Sequence, residues 1–154
     1  MRLDVLAALS IGSTLALAGA APGQPASSPA ASAPSADYGP PITNEQAKAV
    51  AAAALAEARK NNSPMAVAVV GPTGDLVYFE KMDGTQLASI EIARGKARTA
   101  VIFRRPSRVF ADQHAARNRA FTSFPEQPVA SEGGVPIVVD GKIIGAIGAS
   151  GGSD

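Results

Sequence analysis

The stretch Val135–Gly148, VPIVVDGKIIGAIG, is the strongest local signal in the chain. Two apolar runs, Val135 to Val139 and Lys142 to Ile147, flank Asp140-Gly141. Asp-Gly is what a two-residue type I′ turn requires, because both central residues need positive φ. The stretch therefore predicts an antiparallel hairpin. Gly145 and Gly148 sit three apart within or just after its second strand, where missing side chains let another backbone or a helix approach closely.

Two chemical readings compete for the residues that follow. Gly148-Ala149-Ser150-Gly151-Gly152 fits the Gly-x-Ser-x-Gly pattern of a serine hydrolase, and the glycines invite a phosphate cradle. A phosphate loop needs a following helix and a Lys then Ser or Thr at its end, and the sequence offers neither. A nucleophilic Ser150 needs an acid and a histidine downstream, yet the single histidine, His114, lies upstream. The glycines are read as serving shape.

Working back along the chain, Thr43-Asn44-Glu45-Gln46 has the spacing of a capping box. Ala47, Val50, Ala51, Ala54, Leu55 and Ala58 then recur at helical steps until Asn61-Asn62. Met65 to Val70 and Leu76 to Glu80, around Gly71-Pro72-Thr73-Gly74-Asp75, predict a second antiparallel hairpin. A second helix is expected over Leu87 to Phe103, with Ile90, Ala93, Ala97 and Val101 on one side and Pro106 ending it. Ser107 is expected to cap a third helix running to about Ala116. Asn118 to Ser131 has no clear period and reads as loop.

The first residues read as an address and a tether. The apolar run Val5 to Ala20 is short for a membrane span and ends in Ala18-Gly19-Ala20, the small-x-small pattern of a cleavage site. Residues 1–20 are therefore expected to be a cleaved secretory signal, with an uncleaved anchor as the alternative. Residues 21–41 are almost only Ala, Pro, Ser and Gly, too poor in apolar bulk to offset the entropy of ordering, and read as a flexible linker. Residues 42–154 are one domain. With no cysteine anywhere, disulfides and thiolate metal sites are excluded. The expected location is periplasmic or secreted, with no stable membrane span once the signal is cleaved.

The hairpin MAVAVVGPTGDLVYFEKMDG, the helix SIEIARGKARTAVIFRRPSRVF and the closing EGGVPIVVDGKIIGAIGASGG together resemble the GlcG/HbpS family of small haem-associated proteins. Its most specific parts are Lys96-Ala97-Arg98-Thr99-Ala100 and Gly133-Gly134-Val135-Pro136-Ile137 with Asp140-Gly141. The resemblance implies a profilin-like, three-layer α/β domain, an antiparallel sheet with helices on its faces. It also implies higher oligomers, and haem binding as described for some members. Two departures stand out: Gly71 where many relatives carry an aspartate, and an end at Asp154 where relatives continue into a last helix. The absence of that helix is expected to leave apolar side chains of the last hairpin exposed, through truncation or to be covered by a neighbour.

Net charge is only +1, but its distribution is uneven. Arg94, Lys96, Arg98, Arg104, Arg105, Arg108, Arg117 and Arg119 fall in one segment with only Asp112 against them. This predicts either a solvated or self-associating basic face, or an anion site. Arginine clasps carboxylates bidentately, so Arg104, Arg105 or Arg108 are candidates for haem propionates. His114 is the one conventional nitrogen ligand for haem iron, four residues after Phe110 and so expected on its face of a helix. The competing reading of His114 is a ring packed at the core edge. Lys96 and Thr99 join the candidates because they lie in the segment that best matches the family; Lys96 either points outward or reaches a strand-end carbonyl or a bound carboxylate. Met65 and Met82 read as core, and Glu80, Asp83 and Glu91 as surface carboxylates. Nucleic acid is set aside, because no aromatics interleave with the basic residues.

The function expected from these readings is a non-enzymatic, exported domain binding haem or a related anionic tetrapyrrole. The alternatives are a homo-oligomeric accessory subunit without haem, or an enzyme acting on haem or a small carboxylate.

Overall fold

The computed structural model describes residues 35–152. Residues 1–20, expected to be a secretory signal, residues 21–34 of the expected linker, and the last two residues lie outside them. The described chain runs β1 (Asp37–Tyr38), α1 (Asn44–Lys60), β2 (Met65–Val70), β3 (Leu76–Lys81), α2 (Ser89–Ile102), α3 (Arg108–Ala115), a 3-10 turn (Ala120–Ser123), β4 (Gly134–Val139) and β5 (Lys142–Gly151). This is the mixed α/β fold expected, a five-stranded sheet flanked by helices.

β5 organises the sheet. Along one edge it pairs antiparallel with β4, from Val139↔Lys142 to Gly134↔Gly148. Along its other edge it pairs first with β1 and then with β2, and β2 pairs with β3. Both predicted hairpins form, and Asp140 and Gly141 take φ of 49° and 73° at the β4–β5 turn. In one respect the sheet departs from the antiparallel expectation: β1 joins β5 in parallel, Asp37↔Lys142 and Tyr38↔Ile143. The composition around residues 37 and 38 is that of the linker, yet they belong to the sheet. The Tyr38 hydroxyl explains the attachment, because it donates to the carbonyls of Val101 and Ile102 in the last turn of α2, at 2.8 and 3.2 Å.

β2 alternates between two cores, as a strand buried on both faces must. Val67 and Val69 face α1, packing with Ala47, Ala51 and Leu55. Ala66, Ala68 and Val70 face α2. The capping box at Thr43 forms in full, with Gln46 N–H on Thr43 Oγ1 and Thr43 N–H on Gln46 Oε1.

The expected close approach is at its tightest between the sheet and α2. Gly134 and Gly148 are register partners. A Cβ at Gly148 would stand 2.1 Å from the Ala93 carbonyl oxygen, and one at Gly134 would stand 2.2 Å from that of Lys96. The two glycines form a saddle on which the helix backbone rests. α2 then ends as Arg104 turns left-handed at φ 51°, with Pro106 two residues on.

Ser107 does not cap α3 as the sequence suggested. Its fully buried hydroxyl donates to Ser131 O at 2.6 Å and accepts from Gly134 N–H at 2.9 Å. The entry of β4 needs an acceptor for that N–H more than the solvated start of α3 needs a cap. Ser150 is likewise a strand residue, 6 % exposed, whose hydroxyl lies 3.4 Å from that of Ser89. On β4, Val135, Val138 and Val139 are about half exposed.

Candidate functional site

Phe103, just past α2, and Phe110 on α3 meet edge to face, with centroids 4.9 Å apart. Phe124 stacks on Phe103 at 5.8 Å, and Phe121 meets Phe110 edge-on at 5.8 Å. Phe103, Phe110 and Phe124, with Ile102 and Pro125, wall an open cavity of about 570 Å³. That volume falls in the range of small-molecule and cofactor sites. Three polar side chains complete its lining: Arg105, Gln113 and Glu126.

The candidate residues from the sequence are not gathered here. Of the three arginines, only Arg105 lines the cavity, its Nε donating to Phe103 O at 3.0 Å. Arg104 turns to β1, reaching Ala36 O and Asp37 Oδ1 at 3.4 Å and lying 5.8 Å over the Tyr38 ring. Arg108 faces Glu132 at 3.6 Å and Asp112 at 3.9 Å. His114 follows Gln113 on α3 but is exposed, while Phe110 is 3 % exposed. Sharing a helix with Phe110 therefore does not bury its ring, because α3 presents only Phe110 to the core.

Lys96 and Thr99 are buried on the inner side of α2. Lys96 Nζ donates to Ala149 O at 3.1 Å, the strand-end carbonyl that the sequence left as one of its options. It lines a separate cavity of about 480 Å³ beside Gly133 and Ser150. Thr99 Oγ1 accepts from Val129 N–H at 2.9 Å.

Folding also pairs half of the basic segment with carboxylates. Arg94 pairs with Glu91 and Arg98 with Glu126, so that with Arg104 and Arg108 four of these arginines meet carboxylates. The Arg98–Glu126 pair is bidentate, Nε to Oε1 at 2.7 Å and Nη2 to Oε2 at 3.3 Å. Those hydrogen bonds hold the Glu126 carboxyl below the usual carboxylate range. The pair is fully formed above that range and fades as pH falls through the lowered value. Among the described residues no group of His, Asp and Glu is arranged to hold a metal ion, and no helix is long and apolar enough to cross a membrane.

Sequence reading missed the aromatic cluster, although a signal was present. Four of the five phenylalanines fall between positions 103 and 124.

The HbpS-like family, described as haem degrading protein HbpS-like, matches residues 42–154. The chain belongs to the HbpS-like family. Protein GlcG of Escherichia coli strain K12 is 38% identical over 111 residues, covering 71% of this chain and 81% of GlcG. The fold of this HbpS-like chain is similar to the crystal structure of HbpS, with a TM-score of 0.67, 30% identity, and 74% and 79% of the two chains covered. It is also similar to the crystal structure of a PduOC:heme complex, with a TM-score of 0.65, 28% identity, and 73% and 84% covered.

Proposed function

We propose that this HbpS-like domain is an exported, non-enzymatic binder of haem or a related tetrapyrrole, and that the ligand occupies the phenylalanine cavity. The observation that carries the reading is an open, aromatic-walled cavity with Arg105 among its lining residues, in a chain whose relatives include a haem complex. Phe103, Phe110 and Phe124 suit the flat apolar macrocycle, and Arg105 suits a propionate. Haem would supply an iron centre whose axial ligand sets its properties. His114, the chain's one histidine, is exposed on α3 outside the cavity lining and is the proposed nitrogen ligand on its chemistry alone. Export rests on the signal pattern of residues 1–20.

Titration of the purified protein with hemin is expected to give a saturable Soret shift at micromolar haem, and His114→Ala is expected to change that spectrum. No shift ends the haem reading. An unchanged His114→Ala spectrum moves the iron ligand elsewhere. A Soret band that forms and then decays in air with ascorbate would mark haem turnover and overturn the non-enzymatic part.

A second reading, a homo-oligomeric accessory subunit, is favoured by the half-exposed valines of β4. Because half of the basic segment is paired within the chain and the exposed surface of β4 is apolar, such an assembly would be held by apolar contacts. Sedimentation of the mature protein is expected to give an oligomer unchanged between low and high salt. Dissociation at high salt, or a monomer throughout, would count against it.

A further inference from the structure

We propose that residues 117–129 form a strap closing one wall of the phenylalanine cavity, and that Arg98 and Thr99 are the positioning residues that hold it shut and set how fast a ligand enters and leaves. The ligand part of this rests on the reading of that cavity as a binding site.

The strap is bonded mainly to itself. Thr122 N–H reaches Arg119 O, Phe124 N–H reaches Phe121 O, and the Gln127 amide donates to the carbonyls of Thr122 and Phe124. Ala120 N–H is held by the Asn118 side chain. Among the described residues no backbone-to-backbone hydrogen bond joins 119–129 to the sheet or to α2. A segment tied to the body by so few bonds opens at a fraction of the global unfolding free energy.

Phe121, buried edge-on against Phe110, anchors the strap on α3. Its other fastenings lie on one stripe of α2, at the three and four residue steps that share a helix face. Val129 packs over Gly95, where a Cβ would stand 2.8 Å from Val129 Cγ2. One turn on, Arg98 grips Glu126 and Thr99 Oγ1 holds Val129 N–H. Beyond the helix end, Phe103 stacks on Phe124. The strap begins at Arg117, left-handed at φ 58° directly after α3, and Pro128 lies at its far end. Phe124, Pro125 and Glu126 are themselves cavity wall, so undoing the clasp removes that wall.

Trypsin reads the strap without any ligand, since Arg117 and Arg119 are exposed within it. In the apo protein Glu126→Gln is expected to speed cleavage after these two residues about two- to five-fold, the range of a partly exposed ion pair. The charge swap Arg98→Glu with Glu126→Arg adds a tryptic bond after position 126, so it is followed by the fragments released after Arg117 and Arg119, at which the parental rate is expected to return. Thr99→Val, which loses the bond to Val129 N–H and does not line the cavity, is expected to speed that cleavage and, with hemin bound, to speed transfer to excess apomyoglobin by a similar factor with the Soret maximum unmoved. Parental cleavage in Glu126→Gln, or no rescue by the swap, overturns the strap. If hemin does not bind at all, the haem reading falls while the trypsin comparison still decides the strap. Unchanged hemin transfer beside faster cleavage overturns its control of ligand exchange.

Discussion

Replacing Gly148 with alanine is expected to destabilise the domain by more than about 3 kcal/mol, beyond the usual cost of overpacking. The added methyl would stand 2.1 Å from Ala93 O and 2.5 Å from Ala97 N, both backbone atoms of α2 that no rotamer change can clear. Relief requires lifting the helix off the sheet. That would open the packing of Ala66, Ala68 and Ala93, which are all fully buried. Gly134, its register partner, makes the same contact one strand over, so the shift cannot be absorbed sideways. Since single domains are stable by only about 5–15 kcal/mol, much of the margin is lost. A thermal or urea melt checks this, and a variant within about 1 kcal/mol of the parent would mean that α2 does not rest on the saddle.

The second large effect is expected at Phe110. Truncation to alanine removes a ring that is 3 % exposed and in edge contact with both Phe103 and Phe121, which costs about 3–5 kcal/mol. It also removes a cavity wall, so hemin binding is expected to be lost. Phe110→Leu separates the two consequences. Leucine keeps most of the apolar volume, so most of the stability should return, but the ring face is gone and hemin affinity should stay well below that of the parent. Equal affinity and an identical Soret band in Phe110→Leu would place the haem elsewhere.

Features written in neighbouring residues are legible in the amino-acid order alone. Thr43 and Gln46 satisfy each other's backbone donors across three positions, and Asp140-Gly141 supplies its two positive φ values directly. The family resemblance carries the layer order. The candidate site is less legible, because its chemistry is set by partners distant in sequence. Eight basic residues look unopposed beside Asp112, yet Glu126, Glu132 and Asp37 arrive from other elements to meet them. Ser107 stands where a cap belongs, and only the entry of β4 beside it explains why its hydroxyl is spent otherwise. Residues 118–131 show no period because their bonds run through side chains and one short turn. Composition hides β1 in the linker, since two residues carry no periodicity.

The outer border of β4 has a further consequence. Pro136 removes a backbone donor from that border, and the register break between Ile137 and Val138 spoils its regular spacing. A sheet that ends this way is a poor template for continuation into another molecule. Any self-association through these valines should therefore stack surface on surface and add no intermolecular strand, leaving the amide I infrared band of the assembled and dilute protein the same.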